Sequence, residues 1–276
     1  AAGVQIEANR RLMEDPGVYS IADLHQAQAM GWASRGAWDS AVVELEEVSR
    51  LAGAIGVATP PCGTAVVGVL QGGLEPEAAS LLCIPLDPNA LSPGGRAYFV
   101  WNDGILAYAM GDVDGLSDAR LQLEAMDTTA TELYERSLDA FAYEVQGDRE
   151  EARQRLLGLE EARGDRTLGF QTPWVLTVHR LELARWLREA GDPQQALHFL
   201  EWQKSMFNTV PRLEAGALSG ALSRLEMARA WEDLGRTQEA LKWYRDFLRR
   251  YDMPPPQHQP LIEEARAAVE RLGGGS

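Results

Sequence analysis

The sequence predicts an all-α protein of about six helical hairpins with capping helices. Three observations carry that expectation. A glycine followed after four residues by an alanine or other apolar residue recurs six times: Gly36…Ala41, Gly73…Ala78, Gly111…Leu116, Gly147…Ala152, Gly191…Ala196 and Gly235…Ala240. Seven residues before each glycine stands Ala29, Val66, Gly104, Ala140, Ala184 or Ala228, small in five of the six. Apolar residues at helical spacing, such as Leu197 and Leu200, or Leu241, Tyr244 and Phe247, supply faces to bury. Strand signals are weak. The best β-like run, Val66-Val67-Gly68-Val69-Leu70, falls where the second hairpin needs its first helix.

The glycines are 37, 38, 36, 44 and 44 residues apart, which is the length of a helix pair. Glycine after an apolar-periodic run ends a helix, because it takes the left-handed conformation without a Cβ penalty. The residues that follow start the next helix. Gly191-Asp192-Pro193 places Asp at the cap and Pro in the first turn, and Gly147-Asp148 and Gly111-Asp112 are similar. The small residue before the glycine and the alanine after it are where two antiparallel helices approach closely. The spacing predicts helices over 21–35 and 38–51, 62–72 and 75–84, 96–110 and 114–126, 130–146 and 149–163, 171–190 and 193–207, and 212–234 and 237–251. The units fall near 20–52, 60–85, 95–127, 130–164, 170–208 and 212–252, within one domain over 1–272. Pro254-Pro255-Pro256 breaks the chain, 257–272 forms an amphipathic cap, and a short helix over 2–13 caps the other end. Residues 273–276, Gly-Gly-Gly-Ser, are a flexible linker or scar, and the chain is expected to be part of a larger polypeptide.

Each hairpin exposes an apolar flank unless the next covers it, so the predicted architecture is an α-solenoid in which units touch mainly their neighbours. The last two units share a longer string, Arg180-Leu181-Glu182-Leu183-Ala184-Arg185 and Arg224-Leu225-Glu226-Met227-Ala228-Arg229, 44 residues apart. The Gly-x4-Ala core, the small residue before it and the paired helices resemble the tetratricopeptide repeat (TPR). The strongest match is Leu225, Ala228, Trp231, Gly235, Ala240 and Tyr244, and the resemblance covers roughly residues 20–252. It implies a right-handed superhelix whose first helices line a concave face. The closing segment, Trp243 to Leu248 and Gln259 to Arg266, is similar to C-terminal repeat regions of bacterial signalling proteins, often attached to Ser/Thr kinases or transcriptional regulators.

Composition narrows the function. The 276 residues carry a formal net charge of −15, which opposes direct nucleic-acid binding and docking on anionic lipid. The uncharged stretch from Leu51 to Leu74 holds Pro60-Pro61 and many glycines, so a loop and a short buried helix are expected there rather than a membrane span. Cys62 and Cys83 make neither a disulfide framework nor a zinc site; they are expected to be small core residues in a reducing, cytoplasmic compartment. His25, His179, His198 and His258 are scattered over different units without metal spacing. Gly216 to Gly220 is not a nucleophile elbow, and Asp112-Val113-Asp114-Gly115 is a repeat turn rather than a calcium loop. No cofactor, metal or catalytic residue is expected.

Helical geometry then selects residues 13, 10, 6 and 3 before each glycine as groove positions. The candidates for partner contact are Tyr98, Trp101, Asn102, Ile105 and Tyr108 in unit three, Tyr134 and Phe141 in unit four, and Arg185, Arg188 and Arg229 in units five and six. Aromatics would clasp an apolar segment and arginines a carboxylate, although the same aromatics also serve as repeat core, and Arg185–Glu189 and Arg229–Asp233 have the spacing of surface pairs. Trp32, Trp186, Trp231 and Trp243 are assigned to helix–helix faces. The expected function is a non-catalytic protein-interaction or scaffold module binding a peptide, a domain or a small ligand. The alternatives are a small-molecule-sensing domain of a transcriptional regulator and a repeat domain of an enzyme.

Overall fold

A computed structural model describes residues 21–54, 62–83, 91–126, 131–163, 172–201 and 213–274. These residues are helical and form six hairpins and a final helix: α1 (Ile21–Ala33) and α2 (Trp38–Ala54), α3 (Cys62–Leu70) and α4 (Pro76–Leu82), α5 (Pro93–Met110) and α6 (Val113–Ala125), α7 (Glu132–Val145) and α8 (Arg149–Arg163), α9 (Thr172–Glu189) and α10 (Pro193–Glu201), α11 (Leu213–Asp233) and α12 (Thr237–Arg250), and α13 (Gln259–Gly273). The helices pack in adjacent pairs. Among the described residues none is long and apolar enough to cross a membrane. The expected cap over 2–13 lies outside the described residues, as do the last two residues of the expected linker.

The turns have the predicted chemistry. Among the described residues six glycines take a positive φ: Gly36, Gly72, Gly111, Gly147, Gly191 and Gly235. After each of them the next amide returns to the carbonyl five residues back, as from Asp148 to Tyr143 and from Asp192 to Leu187, which closes the outgoing helix. Asp112, Asp148 and Asp192 then accept from the amides of Gly115, Glu151 and Gln195, capping the incoming helices. Unit two departs by one residue, since the left-handed position is Gly72 and not Gly73. Gly73 is small for another reason: a Cβ there would lie 2.0 Å from Trp38 Nε1. The close-approach positions are tightly packed. Ala29, Val66, Ala140, Ala184 and Ala228 are buried, and a Cβ on Gly104 would meet Leu138 Cδ1 at 2.5 Å.

Two features differ from the sequence expectation. First, contacts are not confined to neighbouring units, because α11 packs on α1 and on α3, and α9 reaches α3. The reason lies in α3, whose sequence Cys-Gly-Thr-Ala-Val-Val-Gly-Val-Leu has no large side chain and whose first eight residues are all buried. So thin a helix lets the later units close over it. The ends are tied at the surface too: Arg35 donates Nε and Nη2 to the two Asp252 carboxylate oxygens at 2.8 and 2.7 Å, and Met253 donates its amide to the Arg35 carbonyl. Second, Cys62 and Cys83 are bonded to each other, joining the start of α3 to the end of α4. The expectation of two free thiols is therefore corrected, and with it the basis for a reducing compartment. A 21-residue separation closes a loop long enough that reduction should cost about 3 kcal/mol. Unreduced protein should bind no maleimide, even in denaturant, and treatment with reductant should lower its melting temperature.

Candidate functional site

Aromatic groove candidates turn inward in this arrangement. Trp101, Asn102, Ile105, Tyr134 and Phe141 are all buried, and Tyr98 and Tyr108 are partly buried against them. Trp101 donates Nε1 to Ser137 Oγ at 2.8 Å and lies 5.5 Å from the Tyr134 ring. Asn102 donates Nδ2 to the Tyr98 carbonyl, a bond within its own helix. Tyr108 packs on Phe141 at 4.5 Å, and Phe141 continues to His179 and Trp186. These contacts make a seam that joins units three, four and five. The positions chosen as groove lining are interunit core here, because closing the array turns its inner face into its interior. His179 sits in the same seam, and burial pushes it down to about 3, so it stays neutral. Trp186 is buried, while Trp32, Trp231 and Trp243 pack on the core edge as expected.

The arginine candidates behave differently. Arg185, Arg188 and Arg229 are brought together around one carboxylate, Glu226, which is only 2% exposed. Arg229 donates Nη1 to Glu226 Oε1 at 2.6 Å, and Arg185 and Arg188 reach the same carboxylate at 3.3 Å each. Arg185 also donates to Glu182 at 2.6 Å, and Arg229 donates Nε to Glu264 on α13 at 2.8 Å. The partners are thus the glutamates three residues earlier and carboxylates of other helices, instead of the i,i+4 pairs read from spacing. Burial raises the Glu226 carboxyl, but Arg185, Arg229 and Arg188 outweigh it and hold the group below the ordinary carboxylate range. Glu182 has too little compensation, and burial leaves it raised.

Glu182 and Glu226 are the network carboxylates that the sequence reading missed. Their signal was present in the shared string, where each glutamate precedes an arginine by three residues, one helical turn. The outer arginines of the two strings serve structure: Arg180 bonds Glu160 through two nitrogens and Arg224 bonds Asp246.

Beside this network a cleft of about 530 Å³ opens between α9, α11, α12 and α13, lined by Arg188, Glu189, Arg229, Glu232, Asp233, Tyr244, Glu264, Ala268 and Arg271. Its walls hold three cations and four carboxylates. Most are engaged: Arg271 donates to Glu232 at 2.6 Å and Tyr244 donates its hydroxyl to the same carboxylate at 2.8 Å. Arg188 is the loosest, with contacts of 3.3 Å to Glu226 and 3.4 Å to Asp233. Charge-assisted bonds are ordinarily 2.7–2.9 Å long, so Arg188 retains capacity for another acceptor. Among the described residues no group of His, Cys, Asp and Glu is arranged to hold a metal ion. No protein-family model, curated protein or solved structure matches the chain.

Proposed function

We propose that this chain is a non-catalytic interaction module, a TPR-like helical array that binds an anionic segment of a partner protein in the α9–α11–α13 cleft. The observation that carries the reading is Arg188, a cleft arginine held by two long contacts beside a tightly paired network. A carboxylate entering the cleft can take short bonds from the Arg188 guanidinium without breaking the Arg229–Glu264 pair. The four wall carboxylates set a restriction: they repel a wholly acidic segment and favour one that carries a cation next to its carboxylate. The right-handed superhelical sense and a place in a bacterial signalling protein follow from the resemblance described above, and we retain both as part of the proposal. With Cys62 joined to Cys83, we propose an oxidising compartment in place of the cytoplasm.

The test is a fluorescence-polarisation screen of the purified chain against peptides ending in a free carboxylate, with and without a neighbouring lysine or arginine. Any peptide that binds should lose at least about tenfold on Arg188→Glu, the worth of one charge-assisted bond, while Arg180→Lys should leave it unchanged. If no peptide exceeds its scrambled control, or Arg188→Glu binds as the parent does, the cleft is not the site.

A further inference from the structure

We propose that residues 251–258 are a latch holding the last hairpin against the first two, and that protonation of His258 shifts the array toward an open form.

The latch is built from three contacts that cross between distant parts of the chain. At its start, Asp252 takes both nitrogens of Arg35, and the Met253 amide bonds the Arg35 carbonyl. In its middle, the Tyr251 ring and the Pro254 backbone lie so close to Gly36 that a Cβ there would meet them at 2.8–2.9 Å. At its end, His258 is buried between the latch and the second hairpin. Its Nδ1 faces the Tyr251 hydroxyl at 2.6 Å. On the other side of the ring, the backbone of Gln71 accepts a hydrogen bond, and Nε2 lies at the Gly72 turn. Both ring nitrogens are therefore committed: with Nε2 donating to Gln71, Nδ1 must accept from Tyr251, which fixes the neutral ring.

A second proton on that ring removes the acceptor that Tyr251 uses and leaves a cation in a buried site. The groups facing His258 are the Tyr251 hydroxyl from the latch and the Arg185 guanidinium from α9, and Arg185 repels a charged ring. Burial, with Arg185 adding to it, holds the folded-state value below the ordinary one despite the Gln71 bond. The sign follows. Closure is indifferent to this group above about pH 6.5, where His is neutral whether buried or free, and is weakened as the pH falls below it, where only the released ring takes up the proton.

Nitroxide labels on Ser34→Cys and Met253→Cys measure the gap directly, because both native cysteines are bonded to each other and take no label. Pulsed electron-spin distances should show one short separation at pH 7.5 and a growing longer population as the pH falls from about 6.5 to 5. His258→Gln, which keeps one donor and one acceptor but cannot be charged, should abolish that growth. Tyr251→Phe, which removes the hydroxyl that penalises a charged ring in the closed form, should narrow the difference in proton affinity between closed and released ring and so reduce that growth. A distance unchanged to pH 5 in the parent overturns the proposal. So does an opening that His258→Gln reproduces, or one that occurs only with loss of helical circular dichroism. If His258→Gln does not fold, an undiminished pH-dependent growth in Tyr251→Phe is equally fatal.

Discussion

Trp38→Ala should lower the unfolding free energy by about 3–5 kcal/mol, the range for truncating a fully buried aromatic. Trp38 is the first residue of α2 and is 2% exposed. Its position multiplies the effect, because the indole fills space that two glycines leave for it. A Cβ on Gly68 would lie 2.6 Å from Trp38 Cζ3, and one on Gly73 would lie 2.0 Å from Nε1. The same indole N–H is directed toward the Tyr251 hydroxyl, which is already engaged by His258, and it makes no full hydrogen bond there. Removing the ring therefore opens a cavity shared by the first hairpin, the second hairpin and the latch. Gly73→Ala should also destabilise, by crowding instead of emptying the site. The two changes compensate, since Trp38→Ala makes room for the new methyl. In the double variant, Gly73→Ala should cost far less than it does alone. Urea denaturation followed by far-UV circular dichroism measures all three. Strict additivity, or a loss under about 1 kcal/mol for Trp38→Ala, would show that this indole does not join the units.

The site of that cavity also bears on cooperativity. An array whose units touch only their neighbours loses stability stepwise on truncation. Here α11 packs on α1 and α3, so the first and last units contribute to one another's burial. A single cooperative transition is the expectation for the closed form.

What was legible in the sequence was local. The turn glycines, the capping aspartates and the small residues at close helix contacts act within one or two turns of chain, and each leaves a fixed spacing. Gly73 shows the limit of that reading: two adjacent glycines carry different constraints, one a positive φ at Gly72 and one a clearance for Trp38. Closure was not legible, because Arg35 and Asp252 are 217 residues apart and neither stands in a motif. The helix that permits closure, α3, was legible as a short buried helix, but not as the seat on which the later units close. The cysteine pair failed for a similar reason, since two cysteines 21 residues apart have no pairing rule until a hairpin brings them together. The groove register placed Trp101, Ile105 and Phe141 on the inner face, and closure then made that face a core. The arginines stand out in the sequence but their partners do not, because spacing offers an i,i+4 carboxylate where the folded chain uses i−3 and interhelix ones.

Those partners carry the second large effect. Glu226→Gln keeps the size and shape of the side chain and removes the charge on which Arg185, Arg188 and Arg229 converge. Breaking a buried ion pair by removing one member costs about 3–5 kcal/mol when the surviving charge is stranded. The three arginines retain 20–24% of their side-chain exposure, so water recovers part of that cost. A loss of about 2–4 kcal/mol is expected. The pH dependence distinguishes this from a packing defect. The Glu226 carboxyl is lower in the folded than in the unfolded chain, with the arginines overcoming burial. Its contribution is present above the ordinary glutamate value and is lost as the pH falls through the folded one. Stability of the parent measured from pH 7 to pH 3 should therefore fall more steeply than that of Glu226→Gln, and the two curves should converge at the acid end. Glu182 supplies the control on the same network. Burial raises its carboxyl in the folded chain despite Arg185, so charge there is a cost, and Glu182→Gln should be far less destabilising at pH 7. Equal losses in the two variants would mean that the arginines recognise an amide as readily as a carboxylate, and that no electrostatic centre orders this end of the array.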